Sequence, residues 1–369
     1  MKISLRLKLL LYKFFSGNFG KKLLKAISFG VKVKNLGSNF NPKNAKKRKF
    51  FVVITVDTES GYVNSDERRV WQKENPNAFV GYYYGIANLL KILSKHNAKA
   101  TFFLSTQCFS AKSLEYEKIR NAIINAANNG HEIGLHLHPD SDFAIQKKLF
   151  KKFNATSAFF YSYKEKHEII KSAREIIKEH LGKNAEKKLI SFRWGNWALD
   201  TEGAKALQKL DFKIDSSATP GIKGHLNDGM KYDWSKVKYH YPWKLSITDY
   251  RAINHNNSGI IEMPIATFSF FGLNLRADPL YSVLLKKAFM EYYLKADRAK
   301  KAFPFVVITH SSEATYKDGN IAQTLKDLED FIIFAKKFED VRFVSLREAY
   351  NQNFRQSLIG GNALTATTK

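Results

Sequence analysis

The 369-residue sequence has a single cysteine, Cys108, which excludes an internal disulfide framework and any metal site built from several thiolates. It has no run of 18 or more apolar residues. The best stretches are interrupted by Lys13 and later by Glu262 and Pro264, so no membrane span is expected. The opening segment MKISLRLKLLLYKFF starts basic but has only a short apolar stretch and no small-residue cleavage site, a poor match to a secretory signal. A cytoplasmic location is therefore expected. Repeats and low-complexity segments are absent. So are acidic residues over the first 50 positions, where 14 Lys and Arg supply +14 of the net charge of +26 and leave the other 319 residues only +12. Such an excess favours anionic partners such as nucleic acid, anionic lipid or acidic glycan. Because it is concentrated in a short arm and not in a nucleic-acid reader motif, a nucleic-acid partner is not expected.

What is present is a chain with 44% apolar and 14% aromatic residues, enough for a packed body. Residues 1–49 alternate Lys with Leu5, Leu9, Leu10, Phe14, Leu23, Leu24 and Ile27, the pattern of basic amphipathic helices. This arm suits either an anionic membrane surface, with the protein peripheral at the inner face, or a cap packed on the body. The stretch Asn39–Lys49 reads as a linker, residues 50–350 as the domain proper, and 351–369 as a polar tail. Within the domain, β-branched and aromatic runs alternate with helical patterns, which predicts βα units around a parallel sheet or barrel. The expected strands are Phe51–Asp57, Ala100–Ser105, Glu132–Leu137, Leu189–Arg193, Phe212–Ser216, Ile260–Pro264, Phe305–His310 and Arg342–Ser345. Helices are expected over Gly85–His96, Leu114–Asn128, Lys164–Leu181, Thr201–Leu210, Leu280–Lys301 and Asn320–Lys337.

Several of these strands end in residues able to do chemistry, and in a βα barrel the active site gathers at the carboxyl ends of the strands. Strand one ends in Asp57 and Glu59, strand three in His136, His138 and Asp140, strand four in Arg193, strand five in Asp215, and strand seven in His310. His136, His138 and Asp140 occupy alternate positions, so an extended segment points all three to one face. Two imidazoles and a carboxylate without thiolate suit zinc or another divalent ion, and Glu59 or Asp57 would complete an open site. Of that acidic pair, one member is expected to hold the metal and the other to take a proton from water. His310 is the candidate general acid, and Arg193 the group that keeps the catalytic carboxylate ionised and oriented. Trp194, Trp197 and Trp243 are candidate rings for stacking against sugar faces. Cys108 is given no role.

In chain order these segments resemble the motif series of the polysaccharide deacetylases, the family with the NodB homology domain, from about Phe50 to Tyr350. ITVDTES resembles the first motif, KATFFLS the second strand, GHEIGLHLHPD the histidine motif, FRWGNWA the Arg segment, IDSSATP the Asp-Ser-Ser turn and FVVITHSS the final His motif. GIIEMPIA fits members whose first motif is DxE. The resemblance implies an α/β fold, a distorted (β/α) barrel of seven or eight parallel strands. It also implies a metal-dependent hydrolase that removes an N-acyl group, N-acetyl above all, from a sugar of a surface polysaccharide or its lipid-linked precursor. Residue by residue it makes Asp57 the base, His136 a metal ligand, Arg193 the tether of the base and His310 the acid, with Asp215 orienting His310. The metal and a backbone N–H near Trp194 would stabilise the oxyanion. Two positions depart from the family. Thr58 replaces its second Asp, which passes the ligand role to Glu59, and Asp140 stands where it has a second His, so either Asp140 or His138 completes the ligand set. The alternatives are a non-catalytic glycan-binding relative and an amidohydrolase or deformylase acting on another amide.

Overall fold

The segment FFVVITVDT, Phe50–Thr58 (β1), is buried at all nine positions, as a strand covered on both faces must be. In the computed structural model, which describes residues 50–352 other than 67, 71–77, 112, 227–228, 255–258, 271 and 297–301, this strand belongs to a nine-stranded sheet. The basic arm 1–49 with its linker, and the tail beyond residue 352, lie outside the described residues. The other strands of the sheet are β2 (Ala100–Ser105), β3 (Glu132–Leu137), β4 (Ser191–Trp194), β5 (Ile214–Asp215), β6 (Trp243–Lys244), β7 (Ile261–Glu262), β8 (Phe303–His310) and β9 (Val341–Phe343). Their order is β6-β7-β5-β4-β3-β2-β1-β8, with β9 pairing the start of β1. Every pairing is parallel except β6 with β7, so eight strands run parallel. No regular ladder joins β7 to β8. Irregular backbone bridges them, with the Ala266 N–H donating to the Val306 carbonyl at 2.9 Å and the Ile308 N–H to the Ala277 carbonyl at 3.0 Å. The sheet thus curls into the distorted α/β barrel expected.

Alternation along the strands sorts side chains into two cores. Phe51, Val53, Phe103, Val306 and Ile308 fill the barrel, while Phe50, Val52, Ile54, Phe102, Leu135 and Phe192 pack outward. Against the outer core lie helices α1 (Ile86–Lys95), α2 (Ser113–Asn128), α3 (Tyr163–Leu181), α4 (Thr201–Lys209), α5 (Val283–Ala296) and α6 (Gln323–Ala335). α3 opens with a capping box in which Ser162 and Glu165 satisfy each other's backbone N–H groups. The helix expected over Leu280–Lys301 starts later, because Asp278 caps a separate turn at Pro279–Tyr281 and Ser282, with φ of 47°, breaks the path before Val283. Four antiparallel features among the described residues, the pairs Tyr62–Val63/Arg69–Val70, Lys223–Leu226/Gly229–Asp233 and Thr267–Phe270/Leu273–Arg276 and the edge strand β6, have no counterpart among the expected strands. Each is too short for a period-two pattern to stand out from a loop.

Candidate metal centre and catalytic cleft

Phe51 and Val53 point into the barrel, and the same alternation carries Thr55 and Asp57 to that face at the strand's carboxyl end. His136 and His138 follow Gly134 on β3, Arg193 follows Ser191 on β4, and His310 follows Val306 and Ile308 on β8. Asp57 and His310 are register partners across β1 and β8, and His136 and Arg193 across β3 and β4. One end of the barrel therefore gathers all of them.

Glu59, His136 and His138 form the one cluster of potential metal ligands among the described residues, with donor atoms within 4.8 Å of one another. The Glu59 Oε1 lies 3.2 Å from the Nε2 of His136 and 3.0 Å from the Nε2 of His138. His136 donates its Nδ1–H to the Arg193 carbonyl at 3.1 Å, which leaves the Nε2 lone pair turned into the cleft, as a metal-ligating imidazole needs. An oxygen and two imidazole nitrogens converging with their outer atoms anchored fit a divalent first-row cation. Of the two ways to complete the set, the structure groups His138 and not Asp140 with Glu59 and His136. One Asp140 carboxyl oxygen is buried without a hydrogen bond. Burial alone would raise the Glu59 pKa, but Arg69 and the two imidazoles outweigh it and hold the carboxyl well below its usual range. Burial works the other way on His138, and the hydrogen bond and charge of Glu59 win there too, raising its pKa.

Arg193 is fully buried and every branch of its guanidinium is used. It donates to Asp57 Oδ1 at 2.6 Å, to Thr55 Oγ1 at 3.0 Å, and to the backbone and side-chain oxygens of Ser216 at 2.7 and 2.9 Å, while stacking 4.4 Å over Phe103. The second Asp57 oxygen faces the site, 4.0 Å from the His136 Nε2.

On the neighbouring strand β8, His310 Nδ1 pairs with the Glu313 carboxylate at 3.0 Å. The charge of Glu313 raises the His310 pKa against the opposing effect of burial, and His310 in turn holds Glu313 down near about 2 despite its own burial. This corrects the part expected of Asp215. Ile214 faces the barrel, so Asp215 points the other way, where it accepts from the Ser217 N–H and hydroxyl and burial raises its pKa. Arg69 links Glu313, at 3.7 Å, to Glu59. Ser311 pins Glu59 by accepting its N–H at 3.0 Å. The turn Gly81–Gly85 leading into α1 passes so close to both loops that a Cβ at Gly81 would stand 2.4 Å from the Glu59 carbonyl, and one at Gly85 2.0 Å from that of Ser311. Arg69, Ser311 and Glu313 are not among the residues the sequence points to, although a carboxylate three residues after His310 is a usable signal.

Two of the three expected sugar-stacking rings need correction. Trp194 and Trp243 are 1% and 3% exposed and belong to the outer core, because they lie on the faces of β4 and β6 that point away from the barrel. Trp197 is half-buried near the cleft, with the Arg276 guanidinium 3.8 Å over its ring. The backbone N–H of Trp194 is occupied as well, donating to the Ser217 hydroxyl at 3.0 Å. Cys108 is buried.

A sequence profile of the polysaccharide deacetylase family matches residues 81–214. Among curated proteins none matches the chain in sequence. The fold is shared with a protein of Mycobacterium smegmatis assigned to the polysaccharide deacetylases, at 16% identity and a TM-score of 0.53 over 88% of this chain and 96% of that one. A probable polysaccharide deacetylase of Pseudomonas aeruginosa PAO1 is similar at 13% identity and a TM-score of 0.52 over 88% and 98% of the two chains. The Puue allantoinase is similar at 14% identity and 0.51 over 87% and 96%.

Proposed function

We propose, from the premise that this chain is a member of the polysaccharide deacetylase family, that it is a metal-dependent hydrolase removing an N-acetyl or related N-acyl group from a sugar of a surface polysaccharide or its lipid-linked precursor. The observation that carries this reading is the placing of Glu59, His136 and His138 beside an Arg193-tethered Asp57 and the neighbouring His310–Glu313 pair. In it, Glu59, His136 and His138 hold the metal, zinc being the ion that best suits one carboxylate and two imidazoles. When bound, the metal supplies Lewis-acid polarisation of the amide carbonyl.

Asp57 acts as the base. Arg193 occupies one of its carboxyl oxygens and fixes its plane, leaving the other to take a proton from the attacking water. The attack makes a tetrahedral centre whose C–N bond breaks only if nitrogen gains a proton. His310 is the donor, since Glu313 engages its Nδ1 and leaves Nε2 for the departing amine. The Glu313 charge that keeps this imidazole protonated suits an acid that must give a proton up at neutral pH. Of the backbone N–H groups near Trp194 that could serve the oxyanion, that of Trp194 itself is already donated to the Ser217 hydroxyl.

The test is elemental analysis of purified wild type and His136→Ala, with acetate release from an N-acetylated oligosaccharide followed in parallel. Near-stoichiometric metal that the variant loses, together with acetate release by wild type, is the expected result. Metal without release redirects the reading to another amide, such as a formamido sugar. Absence of metal from wild type leaves a glycan-binding protein without hydrolysis.

A further inference from the structure

Directly after the histidine motif the chain makes a seven-residue helix, Phe143–Leu149, and then does something costly. Phe150 adopts the left-handed conformation (φ 49°, ψ 36°) that normally falls to Gly or Asn at a helix end, and its ring is 97% exposed. A bulky residue that accepts this backbone and buries nothing in return gains nothing for the fold of this chain. It does not stand alone. Phe143 is 50% exposed, Phe160 54% and Tyr163 37%, and they belong to the same lobe, because the Phe153 and Tyr161 rings meet at 5.4 Å and Lys151 bonds Glu165 at 2.6 Å.

The charge around these rings is predominantly basic. Between Ser141 and Lys164 the chain carries Lys147, Lys148, Lys151, Lys152 and Lys164, and its one acid, Asp142, is fully buried as the cap of the short helix. Lys148 pairs with Glu175 and Glu179 and Lys151 with Glu165 on α3, so the excess positive charge rests on Lys147, Lys152 and Lys164. Exposed aromatic rings among lysines match a bilayer interface, with rings entering the headgroup and acyl boundary and ammonium groups meeting lipid phosphates. The lobe is also stitched to the cleft. Gln146 donates to the Pro139 carbonyl, the Asp142 N–H to that of His138, and Asn196 to that of Thr156.

We propose that the Phe143–Tyr163 lobe is a docking surface for an anionic lipid bilayer, distinct from the basic arm, and that it seats the rim of the cleft against the membrane. The docking is independent of the hydrolase reading. Its consequence, that the substrate is presented from the bilayer as a lipid-linked sugar, rests on that reading.

The experiment uses the full chain bearing Phe150→Cys labelled with an environment-sensitive fluorophore, the native Cys108 being buried, with Ile333→Cys as a control position. Vesicles of phosphatidylcholine alone, or mixed with phosphatidylglycerol, are added with and without spin-labelled lipid. The expected result is a blue shift at position 150, and quenching by spin-labelled lipid, with the anionic vesicles only and with neither effect at 333. Co-sedimentation through the arm without quenching at 150 overturns the proposal. So does equal insertion into neutral vesicles, protection of the label by soluble oligosaccharide, or protection by self-association in the absence of lipid. Acetate release from a soluble substrate, measured on the same labelled protein, reports separately on the hydrolase reading.

Discussion

The two ends of the barrel each hold a carboxylate, buried at the amino end and half-buried at the carboxyl end, and they use it in opposite ways. At the amino end Glu132, 4% exposed, accepts from the Thr101 and Ser191 hydroxyls, both at 2.9 Å, and from the Arg347 N–H at 2.8 Å. It thereby fastens the closing helix Leu346–Tyr350 across the barrel mouth. Burial raises its pKa, and its donors are neutral hydroxyl and backbone groups apart from the nearby Arg347 guanidinium. At the carboxyl end Glu59 meets two imidazoles and Arg69, and its pKa is pushed down. Satisfied neutral donors make a carboxylate a rivet, whereas titratable partners with turned-in lone pairs make it a ligand.

The sharpest way to test this contrast is to break each end separately. Asp57→Asn is expected to lower turnover by about three orders of magnitude or more while leaving metal content unchanged, and His136→Ala to lose the metal itself. Thermal unfolding should come earlier in both, since Asp57→Asn leaves the buried Arg193 without its counter-charge and His136→Ala forfeits the stabilisation of the bound metal. Glu132→Ala should spare turnover and act on stability alone. Stranding two hydroxyls and an N–H is expected to cost about 3 kcal/mol in denaturant unfolding, with kcat of the folded fraction unchanged and Glu132→Gln recovering most of the loss. Substituting Glu313 by Gln is expected to reduce kcat by roughly 30- to 100-fold and to shift the limb of the pH–rate profile that reports the acid to lower pH. An unmoved limb would separate Glu313 from His310.

The smallest expected effect belongs to the amino end. His131 is buried beside Lys99, accepts the Ala100 N–H at its Nδ1, and has its pKa lowered to about 4. A base with a depressed folded pKa leaves the unfolded chain holding more protons between the two values. Stability should therefore fall as pH drops from about 6.5 towards 4, by about 1 kcal/mol at pH 5 once solvent screening of the shift is allowed for. Removing the imidazole with His131→Asn should flatten that slope without touching the activity profile.

Much of this is legible in the order of the amino acids alone. The βα rhythm, the strand-end positions of Asp57, His136, Arg193 and His310, and their sharing of one barrel end follow from alternation and order along the chain. Alternation also holds the clue to Asp215: Ile214 is a barrel-facing residue, so its neighbour has to face away. Trp194 obeys the same rule beside Arg193. Glu313 is legible only as a carboxylate three residues after His310, and Arg69 and Ser311 are not legible in this way, because Arg69 meets Glu313 and Ser311 meets Glu59 from segments far away in sequence.

The sequence by itself determined which residue types stand at which strand ends, since period-two alternation is a local property of the backbone. Only the tertiary structure decided that His138 rather than Asp140 joins Glu59 and His136, that Arg69 bridges Glu59 and Glu313, and that Ser311 holds the Glu59 backbone. Each of those outcomes depends on how far the sheet curls and which loops fold back over its end, and side-chain contacts across that distance have no trace in local periodicity.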